Sequence, residues 1–110
     1  MIKDRVVRVK LIKRYSEQRP ISYVGKVTAF SENWVILEAK TIMLSRHSSN
    51  GAQIDDKAQA MMIPRDNIES IRILPDNFDL DNLQLTTNEQ QLVLVVDGTR
   101  DAFLGELGEG

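Results

Sequence analysis

Three residues of chemically useful type sit in two short polar turns. Asn33 and Trp34 close "SENW", and Arg65 lies in "PRDN". Trp34 is the single tryptophan of the 110-residue chain. An indole at the start of a hydrophobic strand, directly after a turn, has two readings. It is a core cap or subunit contact, because large aromatics dominate both. Or it is a flat surface on which a base stacks. Asn33 suits a left-handed turn conformation, and Arg65 has Asp66 and Glu69 as candidate ion-pair partners. Catalysis finds less footing. His47, the one histidine, sits in a polar Ser/Asn loop and reads as solvated. Cysteine is absent, so there is no disulfide, thiol nucleophile or thiolate metal site. Asp55 and Asp56 are adjacent carboxylates without further ligands for a cation. "NGAQ" lacks the spacing and lysine of a phosphate-binding loop. The expectation is no enzyme, no cofactor and no metal.

The elements that must position these residues are strands. "RVVRVKLIK" (5–13) alternates Val7, Val9 and Leu11 with Arg8 and Lys10, the period of a half-buried strand. A polar turn closed by Pro20 leads to "ISYVGKVTAF". Gly25 interrupts this second strand, where glycine marks a bend or a close backbone approach. "WVILEAKTIMLSR" is a long third strand, and its apolar start, Trp34 to Leu37, predicts contacts on both faces there. Residues 47–57 read as a loop. "AQAMMI" is a short fourth strand ended by Pro64. "IESIRIL" is a fifth, with a twist or helical turn expected near Asn67. Nothing before Leu80 has a helical period. Further on, Leu92–Val96 is an apolar run read as a buried or subunit-contact strand, ending at the turn signal Asp97-Gly98. "TRDAFLGELGEG" reads as a loosely held end. Residues 75–110 are thus expected to add a hairpin or to leave their last third disordered.

Length fits one domain with a modest core. No signal peptide or membrane-length apolar run is visible, and with the lack of cysteine this predicts a cytoplasmic protein. The formal net charge of −2 hides an asymmetry. Residues 1–26 hold eight basic side chains against Asp4 and Glu17, while from Pro75 onward eight acids face only Arg100. The plain reading is that the basic outer faces of the first strands lie near the acidic end, within or between subunits. A pI of about 5.4 is not the usual footprint of a nucleic-acid binder.

"GKVTAFSENWVIL" resembles the first motif of the Sm-like family, which includes Sm, LSm and Hfq proteins. Gly25, Val27 and Phe30 precede the turn Ser31-Glu32-Asn33 and the apolar strand Trp34-Val35-Ile36-Leu37. "MMIPRDNIESI" is similar to the second motif, with Met62-Ile63, the turn Pro64-Arg65-Asp66-Asn67, and Ile68. The resemblance covers about residues 5–74. Ser31 stands where the family has Asp, Pro64-Arg65 stands where it has Arg-Gly, no helical pattern precedes the first strand, and an acidic extension follows the last. An oligonucleotide/oligosaccharide-binding barrel is the nearest competitor, but its helix between strands three and four has no counterpart in 47–57.

The resemblance implies an all-β, strongly bent five-stranded Sm-like (SH3-like) barrel over 1–74, with a partly β acidic extension over 75–110. It implies a homo-oligomeric ring, since the apolar edges "AQAMMI" and "IESIRIL" lack guarding lysines and would close head-to-tail. It brings the two turns together at a pore, where Trp34 stacks on a base, Asn33 reads a base edge and Arg65 holds phosphate. The expected function is single-stranded RNA binding. The alternative is a structural or adaptor ring that binds a protein partner through its acidic extension and takes no nucleic acid.

Overall fold

The computed structural model describes residues 2–15, 18–45 and 51–106, and these form two antiparallel sheets with no α-helix among them. The first is organised around β2 (Ile21–Phe30), which pairs with β1 (Val6–Leu11) on one side and β3 (Trp34–Leu44) on the other. β4 (Ala52–Ile54) and β5 (Gln59–Pro64) both pair with β3, β4 along Ile42–Leu44 and β5 along Trp34–Ala39. A 3-10 turn at Arg65–Asn67 leads into β6 (Ile68–Ile73), which returns to pair with β1. The helical turn expected near Asn67 is therefore present. β4 falls inside the stretch read as a loop, since three residues are too few for a period to show. The sheet does not close: β5 pairs with β3 and β6 with β1, not with each other.

The strand alternation sorts side chains onto two faces. Val7, Val9, Val27, Val35, Leu37, Ala39 and Ile63 form one buried cluster drawn only from this sheet. A sheet that buries one face against itself must curl. Gly25 permits the curl: an added Cβ would lie 2.0 Å from the Glu38 carbonyl oxygen and 2.5 Å from the Ala39 Cα. The bulge between Val27 and Ala29, opposite β3, adds further bend.

The opposite face is covered by the second sheet, β7 (Leu85–Asn88), β8 (Gln91–Leu94) and β9 (Ala102–Glu106), in that order. Leu92, Leu94, Val96, Ala102 and Leu104 pack with Val6, Val24, Ile42, Leu44 and Leu74 in a second buried cluster. The segment read as a loosely held end thus contains β9, with Ala102 and Leu104 at most 1% exposed. Its short length and its glycines hid it. Gly98 does take the turn expected there, with φ of 80°. Residues 107–110, like His47, lie outside the described residues.

The basic side chains of β1 meet this second sheet, though mainly through its backbone. Arg8 Nη1 donates to the Phe103 carbonyl and Nη2 to Ser70 Oγ at 3.0 Å. Arg72 donates to the carbonyls of Arg100 and Asp101. Lys10 pairs with Glu69 at 3.2 Å and stands 5.6 Å from the centre of the Phe103 ring. Arg8 and Lys10 are buried, so the basic outer face of β1 lies near the acidic segment, as expected, but beneath it and against Phe103. Burial pushes the Arg8 guanidinium below its usual pKa, Arg72 adds to the effect, and Glu69 opposes it. Arg5 pairs with a carboxylate of the acidic segment, Asp76, at 3.1 Å.

Candidate functional site

The site begins with the alternation of β3. Trp34, Ile36, Glu38, Lys40, Ile42 and Leu44 share one face by period two. The second sheet covers that face only at its Ile42–Leu44 end. Trp34 lies at the uncovered end and is 41% exposed. Contacts on both faces at Trp34–Leu37 are thus not found: Val35 and Leu37 are buried, Ile36 half-buried and Trp34 exposed. Within the chain, Trp34 is not a packed core residue. Met62, opposite Ile36 in the register, is 58% exposed and continues the apolar surface.

The structure brings Asn33, Trp34 and Arg65 together. β5 ends with Pro64 opposite Trp34. The next amide, Arg65 N, donates to the Asn33 carbonyl at 2.9 Å, which ties the two turns. Arg65 Nη1 donates to the Ser31 carbonyl at 3.1 Å and the Glu32 carbonyl at 3.3 Å. These bonds hold the guanidinium over the β2–β3 turn, so neither Asp66 nor Glu69 pairs with it among the described residues. Ser31 organises the turn itself. Its amide donates to the Trp34 carbonyl at 2.9 Å, and its Oγ accepts from the amides of Asn33 and Trp34 at 3.4 and 3.3 Å. Asn33 does not need a left-handed conformation here, since the positive φ values away from glycine are at Asp4 and Glu89.

A third segment joins this end of the molecule. Arg14, in the β1–β2 loop, donates through Nη2 to the Asp66 carbonyl at 3.2 Å and to Asn67 Oδ1 at 2.9 Å. Ile12 N donates to the Asn67 carbonyl at 2.8 Å. Sequence reading did not single out Arg14 or its neighbour Tyr15. The signal was available, an aromatic between basic residues in "KRYSEQR", but nothing in the sequence tied that loop to Arg65.

The remaining chemistry is sparse. Among the described residues no group of three His, Asp or Glu side chains is placed to hold a metal. Tyr23 is raised above its usual pKa by burial and by Asp55, so its phenol stays protonated at neutral pH. An open groove of about 410 Å³ is lined by Lys26, Lys40, Lys57, Glu38, Asp56 and Asp81 over Val24 and Gly25. Its charges balance, and it favours neither anion nor cation. No helix among the described residues is long and apolar enough to cross a membrane. No protein-family model, no curated protein and no solved structure matches the chain.

Proposed function

We propose that this protein is a cytoplasmic, Sm-like, homo-oligomeric ring that binds single-stranded RNA at its pore rim through Asn33, Trp34 and Arg65. The observation that carries the reading is the 41% exposure of Trp34 beside Arg65, on turns tied by main-chain bonds. An exposed aromatic on a turn whose carbonyls anchor a guanidinium suits a base and its phosphate. Trp34→Ala is expected to weaken binding of short uridine- or adenine-rich RNA by about 1–3 kcal/mol. Because the side chain is half-exposed, the change should cost less stability than the about 3–5 kcal/mol of a packed tryptophan. Anisotropy titrations beside thermal melts measure both. If wild type binds no RNA at low salt, the reading is wrong.

The ring rests on the open edges. Arg65 N bonds Asn33, so alternation along the ladder turns the backbone groups of Ala60, Met62 and Pro64 away from β3. Proline tolerates that side, having no N–H to leave unpaired. Leu74 N bonds the Val6 carbonyl, which by the same alternation turns Ile71 and Ile73 away from β1. Joining the β5 edge of one subunit to the β6 edge of the next is a heterologous contact that closes into a ring. Light scattering after size exclusion should then give a multiple of 12.5 kDa, and a monomer at micromolar concentration would remove the ring.

The exposed carboxylates of Asp76, Asp79, Asp81, Glu89 and Asp97 favour a second reading, an adaptor ring that binds a protein partner through the acidic segment 75–110. An intact ring that binds neither RNA sequence would leave that reading standing.

A further inference from the structure

We propose that Arg14 and Tyr15 form a second RNA subsite, with Tyr15 as a stacking platform and Arg14 as its phosphate contact, joined to the Trp34 subsite by the turn Arg65–Asn67. The inference rests on the RNA-binding reading above and extends it to a longer strand per subunit.

Tyr15 is 62% exposed, more than any other large hydrophobic residue among those described. It contributes little to packing, yet its carbonyl and the amide of Arg14 are both bonded to Gln18. Arg14 N donates to Gln18 Oε1 at 2.6 Å, and Gln18 N donates to the Tyr15 carbonyl at 3.1 Å. A ring whose own backbone is already hydrogen-bonded loses less freedom on binding than one whose backbone is not.

Arg14 links the subsites physically. Its Nη2 binds the carbonyl of Asp66 and the side chain of Asn67, and the adjoining Arg65 amide binds Asn33. One 3-10 turn therefore touches the loop that bears Tyr15 and the turn that bears Trp34. Among the described residues, the hydrogen bonds of the Arg14 side chain all run from Nη2, which leaves Nε and Nη1 for a phosphate. The turns also carry Glu32 and Asp66, both exposed, which offset much of the positive charge of Arg14 and Arg65. Stacking on two rings, more than charge, then supplies the affinity. This makes a low overall pI compatible with RNA binding, and it predicts a shallow salt dependence, with a slope of about −0.7 per phosphate contacted.

The test uses the full chain with labelled oligouridylate and oligoadenylate of increasing length, read by anisotropy at several salt concentrations. Tyr15→Ala should weaken binding of the longer strands by about 5- to 150-fold and leave the shortest ones unchanged. Tyr15→Phe should restore it, and Tyr15→Leu, similar in bulk without a π face, should not. Arg14→Lys should keep binding of the shortest strands. If Trp34→Ala weakens binding while Tyr15→Ala and Tyr15→Leu match wild type at every length, the second subsite is wrong and the first stands. If wild type binds no RNA, both fall. Equal melting temperatures of the Tyr15 variants and wild type separate loss of binding from loss of fold.

Discussion

Gly25→Ala should lower the denaturation midpoint of this protein sharply. Gly25 faces Ala39 across the β2–β3 pair, and a Cβ there would lie 2.0 Å from the Glu38 carbonyl oxygen, 2.5 Å from the Ala39 Cα and 2.7 Å from its Cβ. Backbone atoms cannot swing aside as the end of a side chain can. Relief requires the two strands to part at the bend, and both flanks of the bend are buried. Val24 belongs to one cluster, and Val27 and Ala39 to the other. Ordinary overpacking costs about 1–3 kcal/mol. Here two cores share the displacement, so the loss should lie at or above the top of that range, a large part of the roughly 5–15 kcal/mol that a domain has. Chemical denaturation of Gly25→Ala against wild type measures it. A midpoint within error of wild type would show that the strands can separate freely at Gly25.

The second large effect concerns the end of the chain. A protein cut after Leu74 is expected not to fold, although residues 1–74 contain the whole six-stranded sheet. The cut removes Leu92, Leu94 and Leu104, each at most 2% exposed. Burial of three leucines contributes roughly 5–9 kcal/mol in sum, comparable with the whole stability of a small domain. It also uncovers Val6, Val24, Ile42 and Leu44 as one apolar surface, and such surfaces drive association. Arg8 loses the Phe103 carbonyl, and Lys10 the Phe103 ring. The expected product is insoluble, or soluble with a collapsed amide spectrum and no cooperative melt. A dispersed spectrum with a sharp transition would instead make 1–74 an independent unit. It follows that RNA binding is best tested on the whole chain with point variants.

The sequence by itself determined the all-β class and the paths of the longer strands, because period two is a local property that each strand carries alone. Val7, Val9 and Leu11 announce β1. Gly25 announces a bend, because only a missing Cβ lets two backbones approach so closely. Pro64 announces the end of a strand and suits its edge, since it has no N–H to pair. The two turns that carry Asn33, Trp34 and Arg65 were likewise readable from their polar residues. What only the tertiary structure decided was which of two apolar faces receives a cover, and how far along it reaches. β3 offers the same alternation at Trp34 as at Ile42. The second sheet buries Ile42 and leaves Trp34 exposed, and nothing local to Trp34 carries that information. The same holds for β9, five residues of which Ala102 and Leu104 are buried in a cluster with residues of both sheets, and for Arg8 and Lys10, which look like a solvated face until that strand covers them. Arg14 and Asn67 stand 53 residues apart in sequence and 2.9 Å apart in space. Contacts of that separation depend on the whole path of the sheet, and no window of sequence contains them.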